Sequence, residues 1–104
     1  IDKAEAAIDW TQPATLIERR LRAFDPFPGC TARIGDVTIK LWRAQSAEGH
    51  GQPGEILAVA PEGITVGCGE GSLKLVELQK PGGCRLASAD FLRGFPVTVG
   101  QRFS

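Results

Sequence analysis

The stretch LRAFDPFPGCTARIGDVTIKLWRA, Leu21 to Ala44, carries the transition on which the fold turns. It begins in a charged amphipathic segment, passes a Pro-x-Pro-Gly corner and enters an alternating hairpin. Upstream, Pro13 suits the first turn of a helix, where its missing N–H is not needed. From Ala14 to Phe24 the apolar Ile17, Leu21 and Phe24 fall at i, i+4 and i+7, with Leu16 widening the stripe. Glu18, Arg19, Arg20 and Arg22 take the other faces. Thr15 and Glu18 also have capping-box spacing, which would start the helix later. Asp25-Pro26 and Pro28-Gly29 end it, because the residue before a proline is pushed out of the helical region.

Downstream, Thr31 to Ile34 and Val37 to Ala44 flank Gly35-Asp36, a two-residue hairpin signal. Val37, Ile39 and Leu41 alternate with Thr38, Lys40 and Trp42, so one face of this hairpin is buried and the other mixed. Gln45 to Gly54 reads as a polar loop. Glu55 to Ala60 and Ile64 to Cys68 are joined by Pro61-Glu62-Gly63, and Gly69-Glu70-Gly71 turns the chain into Ser72 to Gln79. Lys80-Pro81-Gly82-Gly83 forms a further loop before Cys84-Arg85-Leu86. Ser88 is placed to cap a short helix, Ala89 to Arg93, with Asp90 in its first turn and Gly94 as the stop. Val97 to Val99 and Arg102-Phe103 read as closing strands. One helix, about six short strands and one late helix make an all-β class, a small barrel or sandwich.

With 104 residues the chain forms one domain, 1–104, with room for a single small core. Hydrophobic residues at 42% and charged residues at 23% are ordinary globular usage. Twelve basic and twelve acidic residues cancel, which argues against a strongly basic nucleic-acid module. No apolar run is long enough to span a membrane, and no charged-then-apolar start reads as a signal peptide. The chain begins at Ile1, inside a polar stretch, as a piece of a longer protein would.

The motifs that carry chemistry are weak. Cys30, Cys68 and Cys84 lie far apart, without the CxxC spacing of a zinc knuckle and in odd number for a disulfide framework. Reduced thiols in a cytoplasmic protein, with no metal, are the expectation. Gly67-Cys68-Gly69-Glu70-Gly71 fails the dinucleotide fingerprint, because its third glycine would fall at Ser72, and no Gly-Lys-Ser/Thr follows. His50 is the only histidine and sits in the polar loop, so no triad is assembled around it. No catalytic residue is assigned. The basic residues are distributed: Arg19, Arg20 and Arg22 on the helix, Arg33, Lys40 and Arg43 in the hairpin, then Lys80, Arg85, Arg93 and Arg102. Converging on one face, they would make a footprint for a phosphate backbone. With the neutral total, a solvated surface of locally balanced charges is the first expectation, and Glu18 among the helix arginines points that way.

Five segments in order, IDW at Ile8 to Trp10, LIERRLRAFDPFPG at Leu16 to Gly29, PGEIL at Pro53 to Leu57, GITVGCGEGSLKLVELQ at Gly63 to Gln79 and SADFLRG at Ser88 to Gly94, cover almost the whole chain. Together they make the chain resemble the C-terminal domain of methionyl-tRNA formyltransferases. The resemblance implies an open OB-like Greek-key barrel. It also implies an N-terminal catalytic domain of the same protein, which holds the family's Asn, His and Asp and the 10-formyltetrahydrofolate site, so this chain carries no cofactor. The partners it implies are that domain and the backbone of initiator tRNA, and a monomer is expected. On this resemblance Lys40, Arg43, Lys80 and Arg85 are the candidate phosphate contacts. One departure stands out: where the family has Gly-Lys-Lys or Gly-Lys-Arg after the LQ strand, this chain reads Gly83-Cys84-Arg85, one lysine fewer.

Two other functions fit the residues. Related folate-dependent formyltransferases and hydrolases that act on small molecules carry a similar barrel as a packing module, and a neutral surface suits them. An unrelated OB-type single-strand binder would need exposed aromatics on one face, for which Trp42 is the candidate.

Overall fold

A computed structural model describes residues 6–104. Helix α1 (Ala14–Ala23) buries Ala14, Ile17 and Leu21, whose spacing puts them on one face. The opposite face carries an ion pair between Arg22 and Glu18 at 2.7 Å. Pro13 occupies the N-cap position in extended conformation, and no side chain caps the helix. The capping box of Thr15 and Glu18 is not formed, since Thr15 already lies inside the first turn. The N–H of Ala14 donates instead to the Glu70 carbonyl at 2.9 Å, so a distant turn satisfies one of the helix's orphan donors. After α1 the chain turns the corner through cis peptides before Pro26 and Pro28, and the Gly29 N–H donates back to the Phe24 carbonyl at 2.9 Å.

The strands are β1 (Ala6–Ala7), β2 (Cys30–Ile34), β3 (Val37–Ala47), β4 (Ile56–Ala60), β5 (Gly63–Gly67), β6 (Ser72–Gln79) and β7 (Leu86–Ala87). In the β2–β3 hairpin Ile34 pairs with Val37, and Gly35 takes φ 59° at the first loop position, where a Cβ would be disfavoured. β3 runs three residues beyond the alternating stretch, into the segment that reads as loop. There Gln45, Ser46 and Ala47 pair with Lys74, Leu73 and Ser72 of β6. Polar side chains on an outward face do not end a strand whose backbone is satisfied by its neighbour.

The meander β4–β5–β6 folds back so that β6 lies against β3, giving the order β1-β2-β3-β6-β5-β4 with β7 added to β6. This is a Greek key in an open sheet. Between its edges lies the C-terminal segment. Arg33 and Ser104 exchange two backbone bonds at 2.9 and 2.8 Å on the β2 side. On the β4 side the Ile56 N–H reaches the Gln101 carbonyl at 2.8 Å and Phe103 donates to Gly54 at 2.7 Å. Gly54, at φ 85°, is required here, because a Cβ would collide with the Phe103 carbonyl oxygen. Arg102-Phe103 therefore forms bridges rather than a strand. Val97 to Val99 is not a strand: the Gln101 side chain accepts from the Thr98 N–H at 2.7 Å and holds a turn.

The core gathers Ile39, Ile56, Ile64, Val66, Leu73, Leu75 and Leu78 from the sheet, Ile17 and Leu21 from α1, and Phe91 from α2 (Ser88–Gly94). Trp10 seals one end by stacking on Phe103, ring centroids 5.6 Å apart. Ser88 is not the cap of α2; Ala87 holds that position. Ser88 is buried and its hydroxyl donates to the Pro61 carbonyl at 2.8 Å, tying α2 to the β4–β5 hairpin.

Candidate nucleic-acid interface

The site is built on an irregularity in β3. Leu41 pairs with Leu78 but Arg43 pairs with Glu77, so Trp42 is the extra residue of a bulge. Trp42 is 7% exposed yet stands outside the main core cluster, buried instead beneath Lys40, Arg85 and Gly29. Its Nε1 donates to the Gln79 Oε1 at 2.9 Å, and the Gln79 amide nitrogen donates to the Gly83 carbonyl at 3.1 Å. The ring is covered by cations. Lys40 Nζ lies 5.5 Å from its centroid and the Arg85 guanidinium carbon 4.7 Å, both within cation–π range. Gly29 packs on the same ring, leaving 3.3 Å between a Cβ placed there and Trp42 Cη2.

Arg85 is further held by two carboxylates. Its Nη atoms grip Asp25 at 3.0 and 2.7 Å, and its Nε donates to Glu77 at 2.7 Å. The charged hydrogen bond from Arg85 holds the Asp25 carboxyl below its ordinary range, and the two carboxylates push the Arg85 guanidinium above its own. The other Glu77 oxygen lies 3.9 Å from Arg43 Nη1. Lys40 and Lys80 sit differently: among the described residues neither forms an ion pair. Together with Thr31, Thr38, Gln79 and Gly82 they line a groove of about 250 Å³.

All four candidates thus converge on the surface around Trp42 and Gln79, with two of them neutralised and two unpaired among the described residues. Four cations against two carboxylates leave a local positive excess in a chain of zero net charge. The balancing acids are the part that sequence reasoning missed. Asp25 reads in sequence as a helix stop, and Glu77 as an ordinary polar position; only the β3–β6 pairing sets Glu77 opposite Arg43. Trp42 is not an exposed stacking platform. The exposed aromatic is Phe27, 82% accessible at the apex of the corner.

Elsewhere the reactive groups are quiet. Cys30 and Cys68 are buried, and burial pushes each thiol up to about 11; Cys84 is exposed, and all three are free. His50 is exposed in the loop after β3. Gly67 to Gly71 is a tight turn closed by the Cys68 N–H on the Gly71 carbonyl at 3.1 Å. Among the described residues no helix is long and apolar enough to cross a membrane.

Residues 1–96 match the family model described as formyl transferase, C-terminal domain. The chain is 51% identical over its whole length to a methionyl-tRNA formyltransferase of Burkholderia thailandensis and 50% identical over 99% of it to one from Aromatoleum aromaticum. It spans about a third of these relatives, 32% and 33% of their lengths. In structure it is similar to HypX from Aquifex aeolicus, solved in complex with tetrahydrofolic acid. There the TM-score is 0.72 at 27% identity, over 91% of this chain and 18% of HypX. On the family match and these identities, the chain belongs to the formyl transferase C-terminal domain family.

Proposed function

We propose that this chain is the tRNA-positioning domain of a methionyl-tRNA formyltransferase, working in the cytoplasm on initiator tRNA during translation initiation. The observation that carries the reading is the groove lined by Lys40 and Lys80, neither of which has an acidic partner among the described residues. Arg43 and Arg85 extend the same surface. Contacts from these side chains go to phosphates, so they set orientation and carry little sequence information. Rate is gained by proximity: tRNA held here brings its methionyl amine to a catalytic domain elsewhere in the protein. The formyl donor, 10-formyltetrahydrofolate, belongs on this reading to that catalytic domain, and no residue of this chain is assigned to it.

A second reading has two observations in its favour. The likeness to HypX, together with the neutralisation of Arg43 and Arg85 by Glu77 and Asp25, suits a packing module for a folate enzyme with a small substrate. Binding of initiator tRNA, followed by fluorescence anisotropy, separates the two. Between about 50 and 200 mM salt, two phosphate contacts weaken binding roughly tenfold. Absence of binding at the lower salt contradicts the tRNA reading and favours the packing module.

A further inference from the structure

Phe27 stands apart from the other large aromatics. Phe91 and Phe103 are buried and Phe24 and Phe95 pack against the core, whereas Phe27 is 82% exposed. Its corner is nonetheless firmly seated. Two residues before it, Asp25 is gripped by Arg85; two residues after it, Gly29 rests on the Trp42 ring. Pro26 and Pro28 flank it and fix the backbone on either side. An aromatic ring is thus held out to water on a rigid apex whose two feet stand on the cationic cluster. With the backbone already held, only the ring's own rotamers have to be ordered on binding.

We propose that Phe27 is a stacking platform for an unpaired RNA base, with the adjoining phosphates on the Lys40, Arg43 and Lys80 surface. The inference rests on the tRNA reading above and adds a contact that reading lacks. Positive surface beside an exposed aromatic is the combination by which single-stranded segments are held, since every base has a π face. A protein partner would want a contiguous apolar centre. The only other exposed large hydrophobic among the described residues is Val99, in the turn that meets β4.

The test compares Phe27→Ala, Phe27→Leu and Phe27→Trp in the full chain, with initiator tRNA and with a blunt RNA duplex as probes. Stacking predicts that Ala and Leu each weaken tRNA binding roughly 5- to 100-fold, that Trp retains it, and that duplex binding does not change. The salt dependence should stay as in the wild type, because no charge is removed. If Leu binds like Phe, the contact is apolar packing and the stacking site is wrong. Equal losses on tRNA and duplex also overturn it. Wild-type binding that all three variants leave intact removes this site alone, whereas no wild-type binding removes the tRNA reading on which it stands.

Discussion

Arg85 closes on Asp25 with both terminal nitrogens, Nη1 to Oδ1 at 3.0 Å and Nη2 to Oδ2 at 2.7 Å, across 60 residues of chain. The bidentate geometry gives the contact directional specificity that a point charge lacks. It joins the segment before β7 to the corner after α1, and through Glu77 and the Trp42 ring it joins both to the sheet. A single arginine therefore organises the surface.

Asp25 should reveal this pair in its pH dependence. Its folded carboxyl titrates below the usual range, so the unfolded chain binds its proton first, near pH ~3.9. The pair's stabilisation is then complete above about pH 4 and disappears as the pH falls through the folded value. The difference in Tm between wild type and Asp25→Asn should be flat from about pH 5 to 7 and shrink below about 4. A difference that persists undiminished in acid contradicts the assignment.

Glu77 lies between the two arginines, accepting a hydrogen bond from Arg85 Nε at 2.7 Å and standing 3.9 Å from Arg43 Nη1. Glu77→Gln keeps the shape and removes one negative charge from the face. Affinity for tRNA should rise roughly threefold at about 50 mM salt, and the gain should fade as salt is raised. Unchanged affinity at low salt would place the two arginines outside the interface.

Much of this arrangement follows local rules. The i, i+4 stripe of Ile17 and Leu21 makes α1, and Gly35-Asp36 between alternating strands makes the hairpin. The β4–β5–β6 meander follows from the glycine turns in the same way. Lys40, Arg43, Lys80 and Arg85, named on the family resemblance, lie on the surface around Trp42 and Gln79. What was hidden depends on distant pairing. The bulge at Trp42 needs β6, some 35 residues later, and the partners of Arg85 come from a helix end and a strand. Ser88 has a cap's residue type, yet burial against Pro61 gives its hydroxyl a different acceptor. Closure of the sheet gap by Gln101 to Ser104 depends on two edges that no local pattern announces.

Stability should divide sharply between core and apex. Leu75 and Leu78 are fully buried on β6, the strand that pairs with both β3 and β5. Leu75→Ala should cost about 2–5 kcal/mol. Phe27→Ala, at an exposed position, should fall within about 0.5 kcal/mol of wild type. Urea unfolding of the two variants checks this contrast; a large loss for Phe27→Ala would mean that its ring packs on the protein.

The thiols should differ in the same manner. In the folded chain an alkylating reagent should modify exposed Cys84 and spare Cys30 and Cys68 until the protein unfolds. The two buried thiols titrate at about 11 when folded, above the value of 9.0 for a free thiol. Their contribution to stability is complete below about pH 9 and lost as the pH rises through about 11. Alkylation of Cys30 or Cys68 at the rate of Cys84 would contradict the packing.

The central claim, that Lys40 and Lys80 hold phosphates, is tested most directly by the salt dependence of tRNA binding in Lys40→Ala, Lys80→Ala and the double variant. Each removed contact should lower the slope of log K against log salt by about 1, and the double variant by about 2, with weaker binding throughout. A slope equal to the wild type's in the double variant would contradict the account.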